Sequence, residues 1–181
     1  MGLTGNQSFI VRLTHRYRVG GADCIGMTES GIKDHPVGPV LALDLGQKRV
    51  GVALSDSSLI SITKLPVLAR SNWKRLLNDV AELLRRFDAK SLVIGLPLNL
   101  DGTEGSAALE ARRTAKKFAL SLGMPVYLQD ERLTSAEAED QLRDAGYAAS
   151  EIPGLVDGQS AAIILADFMA AGQHRILVSP T

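Results

Sequence analysis

Val40-Leu41-Ala42-Leu43-Asp44-Leu45-Gly46-Gln47-Lys48-Arg49-Val50-Gly51-Val52-Ala53-Leu54-Ser55-Asp56 is the stretch whose reading decides the fold. Two apolar runs flank the turn Gly46-Gln47-Lys48-Arg49, which is the pattern of a β-hairpin with buried strands. Asp44 stands at the end of the first run. A lone carboxylate there is costly unless it is paired or bound to a cation. The plain alternative is a capping Asp that accepts from nearby turn amides.

Beyond the hairpin, residues 59–70 hold apolar pieces broken by Pro66 and predict a third strand. Trp73, Leu76, Leu77, Val80, Leu83, Leu84 and Phe87 recur at helical spacing, and Ser71 or Asn72 can cap that helix. Ser91–Leu96 is a continuous apolar run, as in a strand buried on both faces. The loop that follows carries turn chemistry at Asp101-Gly102. A second helix spans 106–122 and ends before Gly123. Pro125-Val126-Tyr127-Leu128 is the next strand and runs into Gln129-Asp130-Glu131-Arg132-Leu133-Thr134. Thr134-Ser135-Ala136-Glu137 is a capping box that opens a third helix, which stops before Gly146. Residues 147–156 read as a linker, and a last helix runs from near Asp157 to about Ala171. This order predicts an α/β, ribonuclease H-like fold: a mixed five-stranded sheet with helices on both faces.

Regular patterning covers residues 39–172. Residues 1–38 are rich in glycine and predict a flexible N-terminal extension, with Met27 as an alternative start, and residues 173–181 read as a C-terminal tail. A chain of 181 residues suits one such domain, and 45% hydrophobic content supports a sizeable core. Lys plus Arg and Asp plus Glu are 20 each, so only a local basic patch could announce nucleic acid. Cys24 is the single cysteine, which excludes an internal disulfide and suits a reducing compartment. No apolar run approaches the length of a membrane span, so no membrane partner is expected.

In mixed α/β sheets, ligands gather at the carboxyl ends of the parallel strands. Carboxylates converge there from three places: Asp44, the pair Asp130 and Glu131, and Asp157. Taken singly, Asp157 reads as a helix N-cap, Asp130 and Glu131 as partners of Arg132, and Asp56 and Asp101 as turn residues. Together at matched strand ends they form an acidic site. Clustered carboxylates repel unless protonated or metal-bound, and oxygen ligands favour hard cations, Mg²⁺ or Mn²⁺. Two such ions ~4 Å apart could stabilise the attacking and leaving oxygens of a phosphodiester. The histidines His15, His35 and His174, like Cys24, fall outside the regular domain, so a serine triad or a zinc site is not expected.

Cations complete the pattern. Lys48 and Arg49 sit in the hairpin turn, Arg132 follows the acidic pair, and Arg112, Arg113, Lys116 and Lys117 make one basic helix face. Contacts of this kind position a nucleic-acid backbone without reading its sequence. A solvated helix face is the plain alternative for residues 112–117.

Four blocks together resemble the YqgF/RuvX family of Holliday junction resolvase-like proteins and pre-16S rRNA nucleases. They are Asp44-Leu45-Gly46-Gln47-Lys48-Arg49-Val50-Gly51-Val52-Ala53, Gly95-Leu96-Pro97 with Asp101-Gly102, Asp130-Glu131-Arg132-Leu133-Thr134, and Asp157 with Ser160-Ala161-Ala162. The resemblance runs from about Val40 to Gly172 and implies a bacterial cytoplasmic, metal-dependent nuclease that processes the 5′ end of precursor 16S rRNA, in contact with a pre-ribosomal particle. It implies catalytic acidic roles for Asp44, Glu131 and Asp157, with Asp130 as a neighbouring ligand. Residues 1–38 depart from the family pattern.

Three alternatives stay open at this level. A resolvase of branched DNA would favour a homodimer, whereas an rRNA processor could act as a monomer. Actin-like ATPases and sugar kinases share an Asp-x-Gly hairpin but need two such domains. A non-catalytic nucleic-acid-binding module is the third.

Overall fold

The computed structural model describes residues 36–132, 134–170 and 175–180. The expectations placed on residues 1–35, including Cys24, Met27, His15 and His35, and on Leu133, Gly172 and His174 lie outside the described residues.

The predicted hairpin forms from β1 (Val40–Leu45) and β2 (Arg49–Ser55), with Asp44 opposite Gly51. β3 (Ile62–Ala69) joins β2 antiparallel at the sheet edge. Pro66 lies where the β2–β3 register shifts, so its missing N–H interrupts no regular ladder. β4 (Ser91–Leu96) runs parallel to β1, and β5 (Val126–Asp130) runs parallel to β4. The order β3-β2-β1-β4-β5, with β2 alone reversed, is the ribonuclease H-like arrangement.

Among the described residues the sheet has six strands rather than the expected five, because β6 (Arg175–Val178) pairs antiparallel with β5. It forms within residues 173–181, whose local pattern marks only a C-terminal tail. Four residues are too few to show a period, and the pairing partner is distant in sequence.

α1 (Trp73–Arg86) starts at Asn72, whose side chain accepts from the Arg75 amide. α2 (Ser106–Leu122) ends at Gly123, which takes the left-handed conformation at φ 63°. Both helices cover the sheet face that carries Leu41, Leu43, Val52, Leu92, Ile94 and Leu128, and Phe118 of α2 is fully buried there.

The opposite face, with Val40, Ala42, Ala53, Val93 and Tyr127, is covered by α4 (Ile152–Ala170), and α3 (Thr134–Asp144) packs against α4. α4 begins five residues before the expected start at Asp157. Pro153 and Gly154 read as a turn, but a proline in the first helical turn removes an N–H that has no intrahelical partner anyway. α4 is also 19 residues long and apolar enough to cross a membrane by length and composition, contrary to the expectation that no run reaches that length. Ile163, Ile164, Leu165 and Phe168 are buried, the mark of a central helix in a packed core.

Candidate active site

Alternation along the strands puts Asp44, Gly51, Gly95 and Gln129 on the face that α4 covers, because each lies two residues from a residue packed there. Register lines them up across the sheet. Asp44 pairs with Gly51, Gly95 pairs with Gln129, and Gln129 pairs with Arg175. The Leu43–Ile94 pairing carries the row from Asp44 to Gly95. One line therefore crosses five strands as Gly51, Asp44, Gly95, Gln129 and Arg175.

Two glycines in this row leave room for acids from other elements. A Cβ at Gly95 would overlap Glu131 Oε2, so the Glu131 carboxylate lies directly over β4. A Cβ at Gly51 would overlap the Asp157 carbonyl oxygen, so α4 rests on β2 backbone to backbone. These contacts bring Glu131 and Asp157 to the sheet beside Asp44.

The electrostatics record the crowding. Burial, and then the neighbouring Asp157, push Asp44 up to about 6. Burial, and then Asp44 and Asp130, push Glu131 up to about 8. Asp44 thus interacts with both other acids, and the three sequence-predicted catalytic residues share one site.

Two arginines hold acids at its edge. Arg49 Nε lies 2.7 Å from Asp157 Oδ2, and Arg49 Nη2 donates to the Pro153 carbonyl at 2.9 Å. The Nε approach makes an ion pair without hydrogen-bond geometry, and the buried Oδ2 has no hydrogen-bond donor. Asp130 points to the other side of β5 from Gln129, and Arg132 engages it through Nη2 at 2.8 Å, through Nε at 2.9 Å and through its backbone N–H at 3.0 Å. Asp130 is therefore a partner of Arg132 that flanks the site.

The other cations divide. Lys48 is exposed in the hairpin turn, and Arg113 is exposed on α2. Arg112 is engaged by Glu104 through Nε at 2.8 Å to each carboxylate oxygen. Lys116 Nζ donates to the Ser179 carbonyl at 3.3 Å. Asp56 and Asp101 are the turn residues expected. Asp56 Oδ1 accepts from the Ile60 amide at 2.7 Å and the Ser61 amide at 3.0 Å, and Asp101 Oδ1 accepts from the Thr103 amide at 2.9 Å.

Sequence reasoning missed Gln129. It is 5% exposed, its Oε1 has no hydrogen-bond partner, and it stands in the same row as Asp44. Arg70 was missed too. It donates to the Leu45 carbonyl at 3.3 Å and the Gly46 carbonyl at 2.8 Å, and pairs with Glu110 of α2 at 2.5 Å. The turn beyond Asp44 is thereby tied to α2. The pairing of Gln129 with Gly95 could have been anticipated from strand parity, but nothing local marks Arg70.

Whether the site suits a hard cation can be tested on its chemistry. Asp44, Glu131 and Asp157 offer only oxygen donors, two are desolvated, and Asp157 Oδ2 is buried against the Arg49 guanidinium. That donor set fits Mg²⁺ or Mn²⁺. Among the described residues, no three of His, Cys, Asp and Glu already stand at metal-holding spacing. Arg49 fills the place of a cation at Asp157.

The chain is similar to known proteins over most of its length. The family model described as RuvX, Holliday junction resolvase, matches residues 38–171. A protein of Anaeromyxobacter sp. (strain Fw109-5), named as a candidate pre-16S rRNA nuclease, is 42% identical over 134 residues, covering 74% of this chain and 97% of its own length. A protein of Syntrophus aciditrophicus (strain SB) with the same name is 39% identical over 138 residues, covering 76% of this chain and 92% of its own. A solved structure of T. thermophilus RuvC in complex with a Holliday junction substrate is similar at 18% identity and a TM-score of 0.48, covering 78% of this chain and 99% of that one. The family match spans the hairpin, the glycine row and all three acids, and on that ground the chain belongs to the RuvX family.

Proposed function

We propose that this chain is a divalent-cation-dependent endonuclease that hydrolyses a phosphodiester bond, with the 5′ end of precursor 16S rRNA as its substrate. The observation that supports this most is the desolvation of Asp44 and Glu131 beside Asp157 at the carboxyl end of β1. Burying carboxylates together costs stability unless a cation or protons offset it. The relatives named as candidate pre-16S rRNA nucleases support the choice of RNA.

Asp44, Glu131 and Asp157 would hold Mg²⁺ or Mn²⁺. When bound, one or two such ions would activate water and neutralise the leaving oxygen. The chain's own residues set up the rest. Gly95 lets the Glu131 carboxylate lie over β4, beside Asp44. Arg49 ties the first turn of α4 to the hairpin through the Pro153 carbonyl and occupies Asp157 until a cation displaces it. Lys48, exposed in the turn, and Arg132, which is paired with Asp130 next to Glu131, would contact phosphates of the substrate. The reading places the protein in the bacterial cytoplasm.

Branched DNA is a second reading, favoured by the description of the family as a Holliday junction resolvase. Cleavage of labelled precursor 16S RNA and of a four-way DNA junction, each with and without Mg²⁺ or Mn²⁺, separates the two. Metal-dependent cleavage of the RNA alone supports the first reading, and symmetric cleavage of the junction by a homodimer supports the second. Cleavage of neither contradicts the nuclease assignment.

A further inference from the structure

The site opens on its α2 side into a trough that neither the acidic site nor the family match accounts for. A cavity of about 240 Å³ is lined by Glu131 together with Pro97, Ser106, Arg70 and Glu110. A second, about 530 Å³, shares Gln47, Arg70 and Glu110 with the first and continues to Asn72, Trp73 and Lys117. The two adjoin along these residues as one trough, with the Arg70–Glu110 ion pair in the wall they share. Its α2 wall is a single stripe: Ser106, Glu110, Thr114 and Lys117 fall on one side of the helix at steps of four, four and three residues. From Ser106 to Lys117 this is ~16 Å along the helix axis, which accommodates a few nucleotides.

The chemistry of the far end is suited to an unpaired strand. Lys117 Nζ sits 5.6 Å from the centroid of the Trp73 ring, and Phe118 braces that ring with centroids 4.8 Å apart. The ammonium is thus pre-placed at the trough, where a phosphate can displace it from the indole and leave a ring face open to a base. Gln47, Asn72 and Thr114 offer donors and acceptors along the way. Arg70 and Glu110 neutralise each other at 2.5 Å, so the channel holds no uncompensated acid between Glu131 and Lys117. A double helix presents stacked bases and cannot use such a channel, whereas unpaired nucleotides can.

We infer that this trough holds the unpaired nucleic-acid segment flanking the scissile bond, with Lys117 and Trp73 as its distal grip. The inference rests on the nuclease reading and adds to it a substrate class: a duplex or stem with a single-stranded flank. It also selects Lys117 from the basic residues of α2 as the one facing the substrate path.

The test compares two RNAs, a blunt duplex and the same duplex with an unpaired flank, binding the full chain in an Asp44→Asn background. The readout is the ratio of the two affinities. Lys117→Glu is expected to cut the preference for the flanked RNA about tenfold. Arg85→Glu, an equal charge change at an exposed position of α1 away from the trough, is expected to leave the ratio as it was. Thr114→Glu, which places an acid in the channel, should act as Lys117→Glu does. Thermal unfolding of each variant confirms the fold. An unchanged ratio in both trough variants, with both RNAs still bound, overturns the trough and leaves the nuclease reading standing. Failure of both RNAs to bind overturns the nucleic-acid reading and the trough with it.

Discussion

Gly95 lies directly beneath the carboxylate of Glu131, so closely that a methyl group on Gly95 would occupy the space of Oε2. The obstacle is the end of a flexible side chain, and the next neighbour, Ile164 Cδ1 at 2.8 Å, can also yield. Gly95→Ala should therefore fold and fail to work. Loss of about 100-fold in cleavage rate is expected from displacing a positioned group by roughly 1 Å, with little change in melting temperature. Steady-state cleavage beside thermal unfolding checks this, and retained activity would show that Glu131 does not act from this position.

Gly51 gives the opposite outcome. A Cβ there meets the backbone of Asp157, which cannot swing aside. Gly51→Ala should separate α4 from β2 and destabilise the protein by about 3 kcal/mol, the upper range for overpacking. Denaturant unfolding measures it. The two glycines thus separate a variant that loses activity from one that loses stability.

Much of this arrangement was legible in the sequence. The hairpin and the bounds of α2 follow from apolar runs, turn residues and Gly123, all local signals. Converging strand ends singled out Asp44, the Asp130-Glu131 pair and Asp157, and the family resemblance narrowed them to Asp44, Glu131 and Asp157. The start of α4 was misplaced because Pro153-Gly154 reads equally as a turn or as a helix entry. β6 was missed because a four-residue edge strand owes its existence to β5. The physical ground for preferring Glu131 to Asp130 needed strand parity and the position of Arg132, and the purpose of Gly95 needed the fold itself.

Acidity should tune the metal-free protein in a defined direction. Glu131 titrates at about 8 in the folded chain against an ordinary 4.5, and Asp44 at about 6 against 3.8. Between those values the folded state keeps protons that the unfolded chain has released, so stability falls as pH rises. The contribution is full below about pH 4 and gone above about pH 8. Glu131→Gln should flatten the decline in melting temperature between pH 5 and pH 8. Added Mn²⁺ should raise the melting temperature more at pH 8 than at pH 5, because binding must release the same protons. A metal-free stability that rises with pH over this range, beyond the contribution of other groups removed by comparison with Glu131→Gln, would contradict the shifts.

Arg49 and a cation compete for Asp157. The arginine is half exposed, so removing it should cost the metal-free protein only about 0.5–1 kcal/mol. Arg49→Gln should at the same time tighten Mn²⁺ binding a few-fold, because one carboxylate no longer has to be released. Calorimetric titration of wild type and variant decides this, and weaker binding in the variant would mean that Arg49 supports the metal-holding arrangement instead.

The central claim is that Asp44, Glu131 and Asp157 together hold the cation that cleavage requires. Titrating Mn²⁺ into wild type and into Asp44→Asn, and assaying cleavage of precursor 16S RNA on the same samples, tests it most directly. The account predicts measurable binding and metal-dependent cleavage in wild type, and at least a 100-fold loss of both in a folded Asp44→Asn, of the order seen when a group acting on developing charge is removed. Equal cleavage by the two proteins would contradict it.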